Sequence, residues 1–447
     1  MKEMIENEFT SESLKIMVKD ILDEAKRQGA TSAEVDVHTH KGFTVTVRKG
    51  DVETIEYHQD KNVGITVYVG QRAGSASLSD VRPEAIRSAV NAACNIARFT
   101  DEDPFSGLAD KESLAFQYPE IHLDFPWDIS VVDAIALAKE CEGIALAKDK
   151  RIQNSEGATI STSRVINAYG NSQGFVGAFP VTRHEISCVL IANQNNEMQR
   201  DYYYTVASDK GLLNSIQTVA TKAAERTVNR LGAKRLTTRR VPVIFAAEES
   251  RGLLGLFVSA ISGSNLYRKS SFLVDHLGKS IFPKHIQIYE NPFIEKALGS
   301  SPFDDDGVAT KANAFITDGV LQNYVLGVYS ARKLGMKTTG NAGGVHNLMI
   351  STSDKDFSAL LKTMGTGLLV TELMGQGINL VNGDYSRGCA GYWVENGEIC
   401  YPVEEITIAG NLREMFNGIV HVGNDIDKRG NIQTGSILID QMMVAGD

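Results

Sequence analysis

Arg240-Val241-Pro242-Val243-Ile244-Phe245-Ala246-Ala247-Glu248-Glu249-Ser250-Arg251-Gly252 runs a strand straight into a helix. Val241–Ala246 is a short β-branched and aromatic run, the pattern of a buried strand. Pro242 fits only near the start of such a strand or at an edge. The chain turns polar at Ala247-Glu248-Glu249-Ser250-Arg251-Gly252, and Leu253, Leu256, Phe257, Ala260 and Ile261 then recur on one face of a helix. Rigid elements hold side chains in place at such a junction, which makes it a natural seat for chemistry. The polar residues here are two glutamates and one arginine, with no histidine or cysteine.

Working outward, the second half continues with hairpin signals. Asp318-Gly319 lies between Ala314–Thr317 and Val320–Tyr324, and Asn396-Gly397 between Gly391–Glu395 and Glu398–Tyr401. Both are type I′ turn signatures. Phe357, Leu360, Leu361 and Met364 predict a short helix stopped by Gly365, and Ile419–Val422 and Ser436–Ile439 read as closing strands.

In the first half, Leu14, Met17, Val18, Ile21, Leu22 and Ala25 form one apolar helix face, capped by Thr10 or Ser11 and ended by Gly29. Alternating strands follow at Glu34–His38, Thr44–Arg48 and Val52–Tyr57, with a tight turn at Lys49-Gly50-Asp51. Gly64–Val69 and Gly74–Leu78 complete an antiparallel meander. A helix begins after Asp80 with Pro83 in its first turn, Thr100–Trp127 reads mostly as loop, and another helix covers Ser130–Lys148. Strands resume at Ala158–Tyr169 and Glu185–Ala192, and a helix carrying Ile216, Val219, Ala223, Thr227, Val228 and Leu231 ends at Gly232. The polar, basic stretch Ala233–Arg240 reads as a linker between an N-terminal domain (1–232) and a C-terminal domain (241–447). The expected class is α+β: antiparallel strands with helices first, then a sheet-rich, barrel-like domain.

The chain has 447 residues, a formal charge of −10, 43% hydrophobic and 22% charged residues. This describes an ordinary globular protein and argues against nucleic acid as a main partner, because phosphate contacts need clustered Lys and Arg. Met1–Glu8 is acidic and lacks the pattern of a secretory leader. The most apolar run, Gly367–Leu373, is too short to span a membrane and contains Glu372. The five cysteines show no CxxC pairing, so reduced thiols in a cytoplasmic protein are expected.

The remaining motifs are weak. Gly375-Gln376-Gly377 lacks the last glycine of a dinucleotide loop and leads into a strand-like run, so tight turns explain it better. Asp304-Asp305-Asp306-Gly307 lacks the alternation and distal glutamate of a calcium loop and reads as a solvated turn. His38 and His40 share a strand face, but neither a cysteine nor a third histidine stands near them in sequence to complete a metal site. His346, after Gly343-Gly344, is a loop histidine, more often a hydrogen-bonding residue than a ligand. Glu372, Asp384 and Arg387 either line a groove or form a structural ion pair. An autonomous hydrolase using Glu248, Glu249 and His346 would lack any evident nucleophile–base–orienter trio.

Several stretches carry a family resemblance: Ala260-Ile261-Ser262-Gly263, Tyr267-Arg268-Lys269-Ser270, Ser330–Gly335, Thr371-Glu372-Leu373-Met374-Gly375-Gln376-Gly377, Gly383–Gly388, Trp393–Ile399 and Glu405–Leu412, with Gly64–Tyr68, Gly74–Ser77 and Arg200-Asp201-Tyr202 in the first half. With these, nearly the whole chain resembles the TldD/PmbA family. The resemblance implies a cytoplasmic zinc-dependent peptidase of two related subunits, associated with peptide maturation and antitoxin degradation and formerly called a modulator of DNA gyrase. In the zinc-bearing TldD subunit the helix after the buried strand carries His-Glu-x-x-x-His, and a cysteine near the C-terminus completes the site. The matching positions here are Ala247, Glu248, Gly252 and Thr434. The resemblance therefore implies a subunit that binds no zinc and has no catalytic residue of its own, Glu248 being the retained motif glutamate. Such a subunit supplies an interface and one wall of a peptide channel to a TldD-like partner that carries the zinc, and a homodimer is a further possible assembly. The alternative is a non-proteolytic regulatory protein that modulates gyrase or an RNA-binding regulator.

Overall fold

The structure is a computed structural model that describes residues 9–446. The acidic stretch Met1–Glu8, on which the leader expectation rests, lies outside the described residues. The α+β class is borne out.

The N-terminal half is one six-stranded antiparallel sheet. Its strands, in spatial order, are Arg72–Leu78, Asp51–Val69, Ser32–Arg48, Ile152–Asn171, Val176–Gln194 and Glu197–Ala207. The segments expected as separate strands at 34–38 and 44–48 are one 17-residue strand, and the second arm of the hairpin runs unbroken for 19 residues. Polar residues around His40 and His58 interrupt the apolar alternation, but the main-chain ladder continues through them. Glu197–Ala207 is a strand that the sequence pattern does not announce, because the polar run Gln199-Arg200-Asp201 and three consecutive tyrosines, Tyr202–Tyr204, hide any apolar alternation.

All four long helices of this half pack on one sheet face. Ser11–Arg27 and Pro83–Phe99 bury Val35 and Val37, and Val131–Ala147 and Ile216–Asn229 bury Val45 and Val47. Strand side chains alternate, so Asp36, His38, His40, Thr44 and Thr46 face the opposite way and leave that face polar. The first helix starts at a Thr10/Ser13 capping box and ends before Gly29, which takes φ +91°.

The C-terminal half is built on a closed ring of five strands. Arg239–Phe245 lies between Gly367–Met374 and Ile437–Ala445; Glu398–Asn411 and Asp384–Glu395 follow, and the last pairs back to Gly367–Met374. The barrel-like expectation therefore holds. Arg239 and Arg240 already belong to the strand, and Lys234 bridges to Val403. Pro242 sits inside the ring instead of at an edge, opposite the bulge in Ile437–Ala445 between Ile439 and Met442, where a missing N–H costs no ladder bond. Both type I′ turns form: Asp318 and Gly319 have φ 49° and 76°, Asn396 and Gly397 have 53° and 77°. A smaller five-stranded sheet, which includes Asn313–Thr317, Ile288–Glu290 and Leu348–Ile350, stands beside the ring.

Candidate functional site

The helix Ala247–Ala260 follows the buried strand after a single residue, Ala246, and is regular from its first turn. It brings Glu248 to the seam between the two halves. The Glu248 carboxylate is clamped by two guanidiniums: Arg226 Nη1 at 2.8 Å, from the helix Ile216–Asn229, and Arg429 Nη2 at 2.7 Å, from a C-terminal loop. The clamp extends in both directions. Arg429 forks onto Asp427 at 2.9 Å, and Asp427 also meets Arg251 at 3.4 Å. Arg226 meets Asp201 at 3.4 Å, Asp201 meets Arg230 at 3.6 Å, and Arg230 pairs with Glu372 at 2.5 Å. Four arginines and four carboxylates thus alternate across the seam. The Arg429 guanidinium also lies over the rings of Tyr203 and Tyr204, at 5.3 and 4.4 Å from their centroids.

These charges decide protonation. Burial by itself would raise the Glu248 pKa; Arg226 and Arg429 outweigh it and hold the carboxyl below its ordinary value. Burial likewise pushes Asp427 up, but the hydrogen bonds and charge of Arg429 bring it below the ordinary value. Glu249 behaves in the opposite way. Burial and the neighbouring Glu248 push it up to about 7, with Arg387 only partly opposing them.

A cavity of about 1250 Å³ opens at the helix start. Ala247 and Glu248 form part of its wall, with Arg226, Tyr289, Met349 and Arg429 around them. Gly252 and Thr434 are not among the residues that line it. Ala247 and Gly252 are five residues apart on the helix, and neither side chain carries a donor atom. A Cβ placed on Gly252 would meet nothing within 4 Å. Thr434 is fully buried; its hydroxyl donates to the Gly435 carbonyl at 2.9 Å and its own carbonyl accepts from Asp427 N. A catalytic zinc site needs about three N, S or O protein ligands plus water. Alanine and glycine offer none, Thr434 is turned into the chain, and both Glu248 oxygens are engaged. These residues do not fit a zinc ion.

The other candidates fall elsewhere. His346 lies in a second cavity of about 820 Å³, between the polar sheet face and the 304–307 turn, and its Nε2 is buried without a hydrogen-bond partner. Burial lowers its pKa. It therefore does not join Glu248 and Glu249 around one cavity. The 304–307 turn is not simply solvated: Asp304 is 2% exposed and accepts from the backbone N–H groups of Asp306, Val308 and Ala342. Burial pushes its carboxyl up to about 8. Glu372 joins the Arg230 ion pair, whereas Asp384 bonds to Asn382 and Asn411. His38 pairs with Asp36 at 3.4 Å and with Asn167 at 2.7 Å, and His40 stacks on His58. Sequence reasoning missed Arg226, Arg429 and Asp427, because nothing local distinguishes them from surface charges; Asp201 was marked only by the stretch Arg200-Asp201-Tyr202, without a role.

The fold and the seam define a two-part α+β protein whose halves are joined by a chain of ion pairs. The chain belongs to the PmbA/TldD metallopeptidase family: it matches the PmbA/TldA metallopeptidase domain 1 over residues 33–97, the central domain over 124–231 and the C-terminal domain over 238–446. It is 50% identical to Metalloprotease PmbA of Escherichia coli, over 93% of this chain and 92% of that protein. It is 45% identical to the Metalloprotease PmbA homolog of Haemophilus influenzae, over 98% and 97%. A Metalloprotease TldD homolog from the same species is 21% identical, over 84% and 82%. A crystal structure from Bacteroides thetaiotaomicron, described as a candidate modulator of DNA gyrase, superposes with a TM-score of 0.92 at 26% identity, over 98% of this chain and 100% of that one. Among the described residues no helix is long and apolar enough to cross a membrane.

Proposed function

We propose that this chain is the zinc-free subunit of a two-component cytoplasmic peptidase whose TldD-like partner carries the metal and cuts unfolded peptides. The observation that supports the reading most is the state of Glu248. The motif glutamate is kept, yet its carboxylate is held ionised between Arg226 and Arg429, with no imidazole at 247 or 252. A general base needs a free lone pair beside an activated water, and here ion pairing takes both oxygens. The family names of the relatives supply the proteolytic class, and the presence of both PmbA-type and TldD-type relatives in Haemophilus influenzae supports pairing of unlike subunits.

In this role the chain contributes rigidity and a wall. The alternating charges lock the N-terminal sheet to the C-terminal ring, and the cavity at the helix start offers an extended peptide a wall that includes Tyr289, Met349 and Ile350. The test is cleavage of an unstructured peptide by the purified chain, by a TldD-like subunit and by the two together. The pair is expected to cut, and the chain alone is not. Cleavage by this chain alone at the rate of the pair would overturn the reading. Capture of a topoisomerase and no TldD-like subunit would replace it with a regulatory one.

A further inference from the structure

The polar face of the N-terminal sheet carries a cluster that the seam does not use. His40 lies on the strand Ser32–Arg48, and His58 and Asp60 lie on its hairpin partner Asp51–Val69. In the register, His40 faces Asp60 and Gly42 faces His58, so all three side chains stand on one face. A bulge decides this. Val47 pairs with Val52, but the register slips by one between Val47 and Thr46, and Thr46 pairs with Thr54. Without that extra residue His40 would oppose Gln59, and both His58 and Asp60 would point to the other face.

The two imidazoles stack, with centroids 5.1 Å apart and planes inclined by 11°. His40 Nδ1 is 3.9 Å from Asp60 Oδ2, and one donor atom from each of the three residues lies within 4.8 Å of the other two. His58 Nε2 is 3.2 Å from Thr44 Oγ1, which in turn is 3.0 Å from Ser161 Oγ. With Nε2–H donating to Thr44, the Nδ1 lone pair of His58 is left for another partner. Gly42, directly across from His58, presents no side chain that would part the rings.

We propose that His40, His58 and Asp60 form a surface site for a borderline divalent transition metal of the zinc class, separate from the helix start. Two imidazoles and one carboxylate suit Zn²⁺ or Co²⁺ and not the all-oxygen preference of Mg²⁺ or Ca²⁺. Closing on an ion with bonds of about 2.0–2.2 Å draws the three donors inward. Side-chain rotation supplies the movement, since His40 and Asp60 are 37% and 79% exposed. Water fills the remaining positions. Thr44 is the orienting group behind His58, as a hydrogen-bonded outer partner commonly is behind a metal-bound imidazole. A bound ion would tie the hairpin's two arms together along residues 51–62, where the second arm forms the sheet edge: Arg72–Leu78 pairs only with residues 63–69.

The test uses the full chain after chelator treatment, titrated with Zn²⁺ by calorimetry and with Co²⁺ by visible absorption. One saturable site is expected. His40→Gln and His58→Gln are expected each to abolish the Co²⁺ spectrum, Thr44→Val to weaken binding about tenfold, and His38→Gln, two residues away on the same face, to leave it unchanged. These are exposed or half-exposed positions, and circular dichroism checks that each variant is folded. No saturable binding by the folded chain, or binding that survives the His40→Gln/His58→Gln double variant, overturns the proposal. The readout is metal binding and not peptide cleavage, so its failure is distinct from failure of the functional reading.

Discussion

Glu248 Oε1 lies 2.7 Å from Arg429 Nη2, and this contact joins the first turn of one helix to a loop near the far end of the chain. The pair is more than half enclosed, with side-chain exposures of 26% and 14%. Arg429→Met leaves Glu248 with Arg226 alone and Asp427 with only Arg251. The expected loss is about 3 kcal/mol, as for removal of one partner from a buried ion pair. Chemical denaturation measures it. In a double-mutant cycle with Glu248→Gln, the two losses are expected to be strongly non-additive.

Glu249 is expected to give the protein a pH slope of opposite sign to that of Glu248. Its pKa is raised from 4.5 to about 7. Between those values the folded state keeps a proton that the unfolded chain releases, so this residue's contribution to stability falls as pH rises through the window and is level above it. Glu248, held below its ordinary value, contributes stability above the unfolded pKa and loses it as pH falls. Glu249→Gln should flatten the fall in denaturation midpoint between about pH 5 and about pH 7. An unchanged profile would contradict the assignment.

Gly252 occupies an exposed helical position where a Cβ touches nothing. Neither space nor backbone geometry requires glycine there. Gly252→Ala is expected to stabilise the chain by about 0.5–1 kcal/mol through helix propensity. Thermal unfolding reads this directly. A loss of stability would show that the helix start is strained in a way the structure does not show.

Glu142, 1% exposed, reaches from the helix Val131–Ala147 to accept the backbone N–H groups of Lys49 and Gly50 at 2.8 and 2.9 Å. It fastens the tip of the hairpin that carries His40 and His58. Glu142→Ala is expected to cost about 1–3 kcal/mol. Faster amide exchange should be confined at first to the hairpin turn. Uniform exchange rates would argue against the fastening.

Local pattern made much of the fold legible. The helices at 11–27, 83–99, 131–147 and 216–229 follow from caps and apolar stripes, and both type I′ turns follow from Asp-Gly and Asn-Gly. Strand length was less legible. Around His40 and His58 the side chains stop alternating while the main-chain hydrogen bonds continue, and side chains are all that a sequence pattern records. At the seam, Glu248 was visible as a motif remnant. Arg226 lies on the helix Ile216–Asn229 and Arg429 stands beside Gly430 in a loop, and no spacing in the sequence ties either to Glu248.

The amino-acid sequence by itself determined the α+β class, the strand-to-helix junction at Phe245–Ala247 and the absence of imidazole and thiolate at 247, 252 and 434. Those depend on residue identity and on contacts a few positions apart. Tertiary structure alone decided that Glu248 is clamped between two arginines and that His40 meets His58. The first requires segments distant in the chain to converge on one seam. The second depends on a one-residue bulge, which turns every later side chain of a strand to the opposite face.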